Sequence, residues 1–122
     1  MARIRHYETM FIVKATLTEE EIQAQINLVK ENIEKNGGTI ASVDDMGIRN
    51  LAYEIQKQKR GYYYVIYFTA PTESISELER TYKINESILR FIFVKSENKT
   101  EIKHWTDMSA EAAKRSEKTS AK

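Results

Sequence analysis

Apolar residues, many of them aromatic or β-branched, concentrate in four stretches of this chain, and two further stretches repeat apolar residues at helical spacing. Runs rich in aromatic and β-branched residues, bounded by turn residues, are typical of β-strands. The four strand-like stretches are residues 7–13, 39–55, 62–68 and 88–94. The second one is long, and its polar residues 44–47 predict a bend or bulge near its middle.

Each helical stretch begins with a pair of residues that can cap a helix. Thr18 stands three residues before Glu21, and Ser74 three residues before Glu77, which is the spacing of a capping box. Apolar side chains then recur at intervals of three and four residues, so that each helix carries one apolar stripe. The stripes consist of Ile22, Ile26, Val29 and Ile33 in the first helix and of Ile75, Leu78 and Tyr82 in the second.

The order strand, helix, strand, strand, helix, strand predicts an α+β fold of the ferredoxin-like βαββαβ type. In this fold a four-stranded antiparallel sheet carries both helices on one face, with the first and third strands in the centre. With 122 residues, the chain has room for one such domain, over residues 1–96. Residues 97–122 are polar, with only Ile102, Trp105 and Met108 as large apolar side chains, and we expect a mostly disordered tail.

The second face of the predicted sheet has no helix to cover it, and yet its residues are apolar. The set that would face the helices is Phe11, Val13, Tyr64, Ile66, Phe68, Phe91 and Phe93. The opposite set is Met10, Ile12, Tyr63, Val65, Tyr67, Ile92 and Val94. Because large exposed apolar areas mark partner sites, we interpret the opposite set as a protein-partner surface. Two alternatives remain: the strand phase slips at a bulge, or Trp105 of the tail folds back over this face.

One strand of that face also resembles the aromatic consensus of RNA-recognition motifs. Residues 60–67 read Arg-Gly-Tyr-Tyr-Tyr-Val-Ile-Tyr on a central strand, with a bulky Tyr63 where the consensus has Gly or Ala. Aromatic side chains in such a strand stack on unpaired bases. The alternative function is therefore a free-standing module that binds single-stranded RNA. Aromatic-rich strands also arise from β-propensity alone.

Basic residues gather at the two ends of the predicted sheet, although the formal net charge is only +1. One group consists of Arg3, Arg5 and Lys95, and the other of Lys57, Lys59, Arg60 and Arg90. Two basic ends on one sheet can span separated phosphates, so we predict RNA contacts at these side chains. The alternative is that they are solvated charges that discourage pairing at sheet edges.

The residues that most enzyme and metal sites need are missing or scattered. The chain has no cysteine, and His6 and His104 lie far apart without a third ligand at metal spacing. Neither a P-loop nor a dinucleotide-binding fingerprint occurs. We therefore expect no enzyme activity, cofactor, metal or small-molecule substrate. No apolar run is long enough to span a membrane and no secretory signal precedes the first strand, so we expect a cytoplasmic protein.

Four segments together resemble a known family. They are residues 5–8 (Arg-His-Tyr-Glu), 47–53 (Gly-Ile-Arg-Asn-Leu-Ala-Tyr), 59–63 (Lys-Arg-Gly-Tyr-Tyr) and 88–96 (Ile-Leu-Arg-Phe-Ile-Phe-Val-Lys-Ser). Over residues 3–96 the chain resembles the bacterial small-subunit ribosomal protein number six family. The resemblance implies a non-enzymatic structural protein that binds the central domain of small-subunit ribosomal RNA together with small-subunit ribosomal protein number eighteen. It also implies RNA contacts at Arg5, Arg49, Arg90 and Lys95.

Overall fold

The computed structural model describes residues 4–55, 57–96 and 98–120, the last six of them (115–120) by their backbone alone. The elements are β1 (Ile4–Lys14), α1 (Glu19–Lys35), β2 (Thr39–Ile55), β3 (Gln58–Pro71), α2 (Ser74–Ile84), β4 (Ile88–Ser96) and α3 (Lys99–Ser120). The four strands form one sheet in the order β2-β3-β1-β4, and every neighbouring pair is antiparallel. The predicted ferredoxin-like topology, with β1 and β3 in the centre, is therefore confirmed.

Helices α1 and α2 cover one face of the sheet, which we call the helix face. The apolar stripe of α1 is buried as predicted, and in α2 Leu78 and Tyr82 are buried while Ile75 is partly buried against them. These helices pack on the predicted strand residues, since Phe11, Val13, Tyr64, Ile66 and Phe68 belong to the same buried core and Phe91 and Phe93 border it. Burial of these large apolar side chains is the main force that holds the helices on the sheet.

One of the two predicted capping boxes forms and the other does not. In α1 the Glu21 backbone N–H donates to Thr18 Oγ1 at 3.2 Å, and the Thr18 N–H donates to the Glu21 carboxylate at 3.3 Å. In α2 the prediction is wrong because Glu73 takes the N-cap position. The Ser74 hydroxyl donates to the Pro71 carbonyl instead, at 2.7 Å, and the Glu77 carboxylate pairs with Arg80.

Strand β2 is irregular, which fits the predicted bend. Its register against β3 shifts three times, between Ile40 and Ser42, between Asp45 and Gly47, and between Asn50 and Ile55. Gly47 has a φ of +76°, a left-handed conformation that glycine adopts without steric cost. The last shift is the largest, because four residues of β2 stand opposite a single residue of β3.

Helix α3 is the main departure from the sequence-based expectation. The prediction of a mostly disordered tail over residues 97–122 is wrong for Lys99–Ser120, which form a helix on the second face of the sheet. The helix begins with a reciprocal cap in which the Glu101 N–H donates to Asn98 Oδ1 at 2.9 Å and the Asn98 N–H donates to the Glu101 carboxylate at 3.3 Å. A short cap of this kind stabilises the first turn of a polar helix.

In the described part of α3, the three buried side chains are those of Trp105, Ser109 and Ala112, and all three lie against the sheet. Trp105 is 9% exposed, and its indole N–H donates to the Tyr7 carbonyl at 2.7 Å. The Ser42 hydroxyl lies 2.8 Å from both the carbonyl and the hydroxyl oxygen of Ser109. Ala112 is fully buried, so the helix backbone can approach closely. We call this second face of the sheet the α3 face. Its buried cluster consists of Val65, Tyr67, Trp105 and Ala112, with Met10, Met46 and Met108 packed against it.

Candidate nucleic-acid interface

Five basic side chains meet at the end of the sheet where the β2–β3 hairpin turns. Arg49 lies opposite Gly61 in the ladder and Asn50 opposite Arg60, while Lys57 and Lys59 flank the start of β3. The neighbouring strand places Arg90 opposite Ile12, which in turn lies opposite Tyr63. All five basic side chains are exposed. We call this group, Arg49, Lys57, Lys59, Arg60 and Arg90, the basic hairpin end.

Among the described residues, no carboxylate pairs with the charges of the basic hairpin end. Within the described ranges, no carboxylate oxygen lies within 4 Å of a side-chain nitrogen of these five residues. The Arg49 Nε–H donates to the Met46 carbonyl, at 3.4 Å. Ile48, Arg49, Asn50 and Arg60 line an open depression at the surface. Cationic groups arranged in this way offer several sites for phosphate oxygens.

The opposite end of the sheet carries the second predicted basic group. Lys95 is exposed and lies opposite Tyr7, and Arg5 is half-buried and lies opposite Ala70. Five residues of extended strand, about 17 Å, separate Lys95 from Arg90. The alternation of β4 also turns Lys95 towards the helix face and Arg90 towards the α3 face. The structure therefore keeps the two predicted groups apart, and Arg3 lies outside the described residues.

A contact between the two edge strands could not be seen in the sequence. Arg90 of β4 stacks over the ring of Tyr53 of β2, with 5.1 Å between the guanidinium carbon and the ring centroid. Two strands separate β2 from β4, so this contact requires the end of β2 to cross the sheet. Sequence reasoning missed Tyr53 as a functional candidate, and the available signal was an aromatic residue next to a polar hairpin turn.

On the helix face, next to this end of the sheet, Tyr62 is held by a carboxylate of β2. The Tyr62 hydroxyl donates to the Asp45 carboxylate at 2.5 Å. Burial and this hydrogen bond, together with the negative charge of Asp45, raise the pKa of Tyr62 well above its ordinary value. The same carboxylate accepts from the Gly47 N–H at 3.2 Å, so Asp45 serves the bend of β2.

The predicted partner surface is only partly accessible. Its seven members lie on the α3 face as expected, but α3 covers Val65 and Tyr67, which are 5% and 2% exposed, and Ile12 is also buried. The prediction of a bare apolar face is therefore wrong, and the alternative in which Trp105 folds back describes the structure. Met10 and Tyr63 are partly buried, and Ile92 and Val94 remain exposed. Buried Tyr67 cannot stack on a base in this arrangement, which counts against an RNA-recognition-motif platform on β3.

The described part of the chain contains neither a cluster of metal ligands nor a membrane-spanning helix. Across residues 4–55, 57–96 and 98–120, no group of three or more His, Cys, Asp or Glu side chains is arranged to hold a metal ion. None of the described helices is both long enough and apolar enough to cross a membrane.

A scan against protein families matches residues 6–95 to the family described as ribosomal protein S6. The chain is 49% identical over 118 residues to the small ribosomal subunit protein bS6 of a Nitratiruptor species, covering 97% of this chain and 92% of that protein. It is 60% identical over 102 residues to the protein of the same name from Helicobacter pylori, covering 84% of this chain and 72% of the relative.

A solved structure supports the same relationship. The crystal structure of 30S ribosomal protein S6 from Thermotoga maritima superposes with a TM-score of 0.77 at 36% sequence identity. The match covers 87% of this chain and 99% of the other. The structural similarity therefore extends over most of the chain.

Proposed function

This chain belongs to the ribosomal protein S6 family, and from that premise we propose that it binds small-subunit ribosomal RNA through the basic hairpin end. As a protein of the small ribosomal subunit it is cytoplasmic and ribosome-associated, and its family is structural rather than catalytic. We propose that its RNA target is the central domain of the small-subunit RNA. The binding part would be the domain of residues 1–96.

The observation that carries this proposal is the grouping of five exposed cations on one end of the sheet. Arg49, Lys57, Lys59, Arg60 and Arg90 come from three different strands and the turn between two of them, and the sheet fixes their spacing. Phosphates bound by such a group release condensed counterions, which gives affinity that falls steeply with salt. Arg5 and Lys95, about 17 Å further along the strands, would contact a more distant part of the same RNA, and we assign Arg3 to the same group.

We further propose that small-subunit ribosomal protein number eighteen docks on the exposed strip of the α3 face. Ile92 and Val94 are 51% and 45% exposed on β4, which is an edge strand. Two neighbouring apolar side chains on an unpaired edge are a suitable contact for an apolar partner segment. The neighbouring strands β1 and β3 would support this strip with the buried and partly buried members of the predicted set, which are Met10, Ile12, Tyr63, Val65 and Tyr67.

RNA binding is tested by titrating a transcript of the central domain with the full chain, with and without purified protein number eighteen. We expect weak binding alone and tighter binding with the partner, both sensitive to salt. Arg60→Ala should lower the slope of log affinity against log salt by about 0.7 to 0.9, the contribution of one phosphate. Lys83→Ala, an exposed cation on α2, is the matched control and should leave the slope unchanged.

Two results would contradict this assignment. One is binding that does not respond to salt, and the other is an equal effect of Arg60→Ala and Lys83→Ala. The partner contact is tested separately with Ile92→Asp, which should abolish the gain from the partner while the chain alone binds RNA as before. In a cell lysate on a sucrose gradient, the chain should migrate with the small subunit at moderate salt. A purely free pool would rule out the subunit role.

A further inference from the structure

We propose that Tyr53, backed by Arg90, is a stacking site for one unpaired base of the bound RNA. This inference rests on the proposed RNA-binding function and adds the kind of RNA feature that is recognised. A cluster of cations alone would bind any folded RNA through its phosphates, whereas a stacking site selects a nucleotide whose base is free.

The backbone of β2 places Tyr53 outside the regular ladder. Asn50 lies opposite Arg60 and Ile55 opposite Gln58, so residues 51–54 stand against Lys59 alone. We call residues 51–54 the excursion of β2. Its Leu51 side chain turns inward against Gly61 of β3, where its Cδ2 atom lies 3.4 Å from the position that a Cβ atom would take. Tyr53 is two residues further along and remains 58% exposed. Leu51 therefore packs the excursion against the sheet, and Tyr53 lies exposed at the surface.

The exposure of Tyr53 is unusual among the aromatic residues of this chain. All twelve Phe, Trp and Tyr side chains lie in the described ranges, and Tyr53 is the only one that is exposed. The others are buried or partly buried in the sheet and its two clusters. Leaving one aromatic ring in water has no benefit for folding, because burying it would release more free energy. An RNA base that stacks on the Tyr53 ring would bury it, so its exposure in the unbound chain fits a binding role.

Arg90 holds the Tyr53 ring in a position in which a base can stack on it. The Arg90 guanidinium carbon lies over one face of the Tyr53 ring, 5.1 Å from its centroid, so a base would stack on the opposite face. β2 and β4 are the two edges of the sheet, about 14 Å apart, so the excursion must cross its end to make this contact. The stacked cation holds the ring in place and draws electron density from it, and a base can then stack on the free face.

The same end of the sheet offers a place for the phosphate of the stacked nucleotide. Arg49 lies opposite Gly61, whose position on β3 faces the same side of the sheet as Ile12. Arg90 lies opposite Ile12 and shares that side. An aromatic ring, its backing guanidinium and a second guanidinium therefore occupy one side of one end. This combination suits a base with its flanking phosphates, as found in single-stranded RNA loops and bulges.

The experiment compares Tyr53→Leu, Tyr53→Phe and Ile4→Ala for binding of the central-domain transcript over a range of salt, in the presence of protein number eighteen. Tyr53→Leu should weaken binding by about 5- to 100-fold, the loss expected for one stacked base, with the salt slope unchanged. Tyr53→Phe keeps the ring and should bind within about two-fold of the unmodified chain. Ile4 is a matched control, because it is 56% exposed at the opposite end of the sheet.

The outcomes separate this inference from the proposed function. If the unmodified chain does not bind the transcript, the proposed function itself fails. If the unmodified chain binds and Tyr53→Leu behaves like Ile4→Ala, only the stacking site is overturned. If Tyr53→Leu weakens binding and also lowers the salt slope by the contribution of one phosphate, the ring only positions the Arg90 guanidinium for a phosphate. That result overturns the stacking site as well. Weakened binding with an unchanged slope and recovery in Tyr53→Phe supports it.

Discussion

The two faces of the sheet are covered by helices in different ways. On the helix face, α1 and α2 insert large apolar side chains into a continuous core that includes Phe11, Ile66 and Phe68, all fully buried. On the α3 face, a single helix buries one large side chain, Trp105, with Met108 partly buried beside it, and contacts the sheet closely at the small residues Ser109 and Ala112. One face is closed mainly by apolar volume, and the other by one indole, close backbone approach and hydrogen bonds.

This difference predicts that the two faces have different stabilities. Regions with few buried apolar contacts open at lower free energy than the main core. Helix α3 should therefore undock from the sheet before the rest of the domain unfolds, while α1 and α2 should be lost only in global unfolding. Variants on the two faces should therefore differ in how much of the domain they destabilise.

Phe11→Ala should cause the largest loss of stability. Phe11 is fully buried on the helix face, with its ring 5.6 Å from the rings of Tyr64 and Tyr82. Removing it leaves a cavity, and we expect the free energy of unfolding to fall by about 3–5 kcal/mol in denaturant titrations. The matched control is Ile92→Ala on β4, whose side chain lies half-exposed on the α3 face. This variant should lower the free energy of unfolding by less than about 1 kcal/mol. Equal losses would mean that the two faces are equally buried.

Trp105→Ala should have a smaller effect that is confined to α3. The variant loses the indole packing against His6 and Tyr67 and the hydrogen bond to the Tyr7 carbonyl. Because α3 can undock alone, we expect a loss of about 2 kcal/mol at most, with faster hydrogen exchange in α3 and unchanged protection in α1.

Trp105→Phe separates packing from hydrogen bonding at the same position. It keeps an aromatic ring but cannot donate to the Tyr7 carbonyl, so it should cost about 1 kcal/mol. In the unmodified chain Trp105 is the only tryptophan, so its fluorescence reports the docking of α3 directly. If this fluorescence changes only together with global unfolding, the two faces form one cooperative unit and the comparison fails.

Ser42→Ala should have a still smaller effect on the same face. The Ser42 hydroxyl contacts both the carbonyl and the hydroxyl oxygen of Ser109 at 2.8 Å. We expect a loss of about 0.5–1.5 kcal/mol, because Ser109, which is 7% exposed, would then keep a poorly solvated hydroxyl. Ser76→Ala on the exposed side of α2 is the control and should change the free energy of unfolding by less than about 0.5 kcal/mol.

The same contrast explains which helices the sequence could predict. The stripe of α1 consists of β-branched and aliphatic residues at regular spacing, so its buried side is visible in the sequence. The buried side of α3 includes Ser109 and Ala112, which also occur in polar, exposed segments, so it reads as a tail. Its start was encoded, since Asn98 and Glu101 have the spacing of a cap. A cap spacing without an apolar stripe is not enough to predict a helix.

The candidate site was predictable in its charges and not in its geometry. The hairpin places Lys57, Lys59 and Arg60 together because they are neighbours in the sequence. The stack of Tyr53 on Arg90 joins residues from the two opposite edges of the sheet through an excursion of four residues that has no periodicity. Periodicity reports which face of an element is buried, whereas this contact depends on where an irregular segment ends in space.

Tyr64→Phe should change the free energy of unfolding least of all at neutral pH. It tests whether water reaches the core on the helix face. Burial, with a smaller contribution from the charge of Asp45, raises the pKa of Tyr64 to about 12 from its ordinary 10.0. The unfolded chain releases this proton above pH 10 while the folded chain holds it to about pH 12. The folded state therefore loses stability as the pH rises through this range.

Replacing the phenol with Phe removes this contribution, so the free energy of unfolding should fall less between pH 10 and pH 12 in Tyr64→Phe than in the unmodified chain. The decline should not vanish, because burial also raises the pKa values of Tyr62 and Tyr82. Denaturant titrations at pH 7, 10 and 11.5 measure the difference. Identical declines in both chains would mean that water reaches the Tyr64 hydroxyl, and the helix face would then be less completely closed than the burial of its core implies.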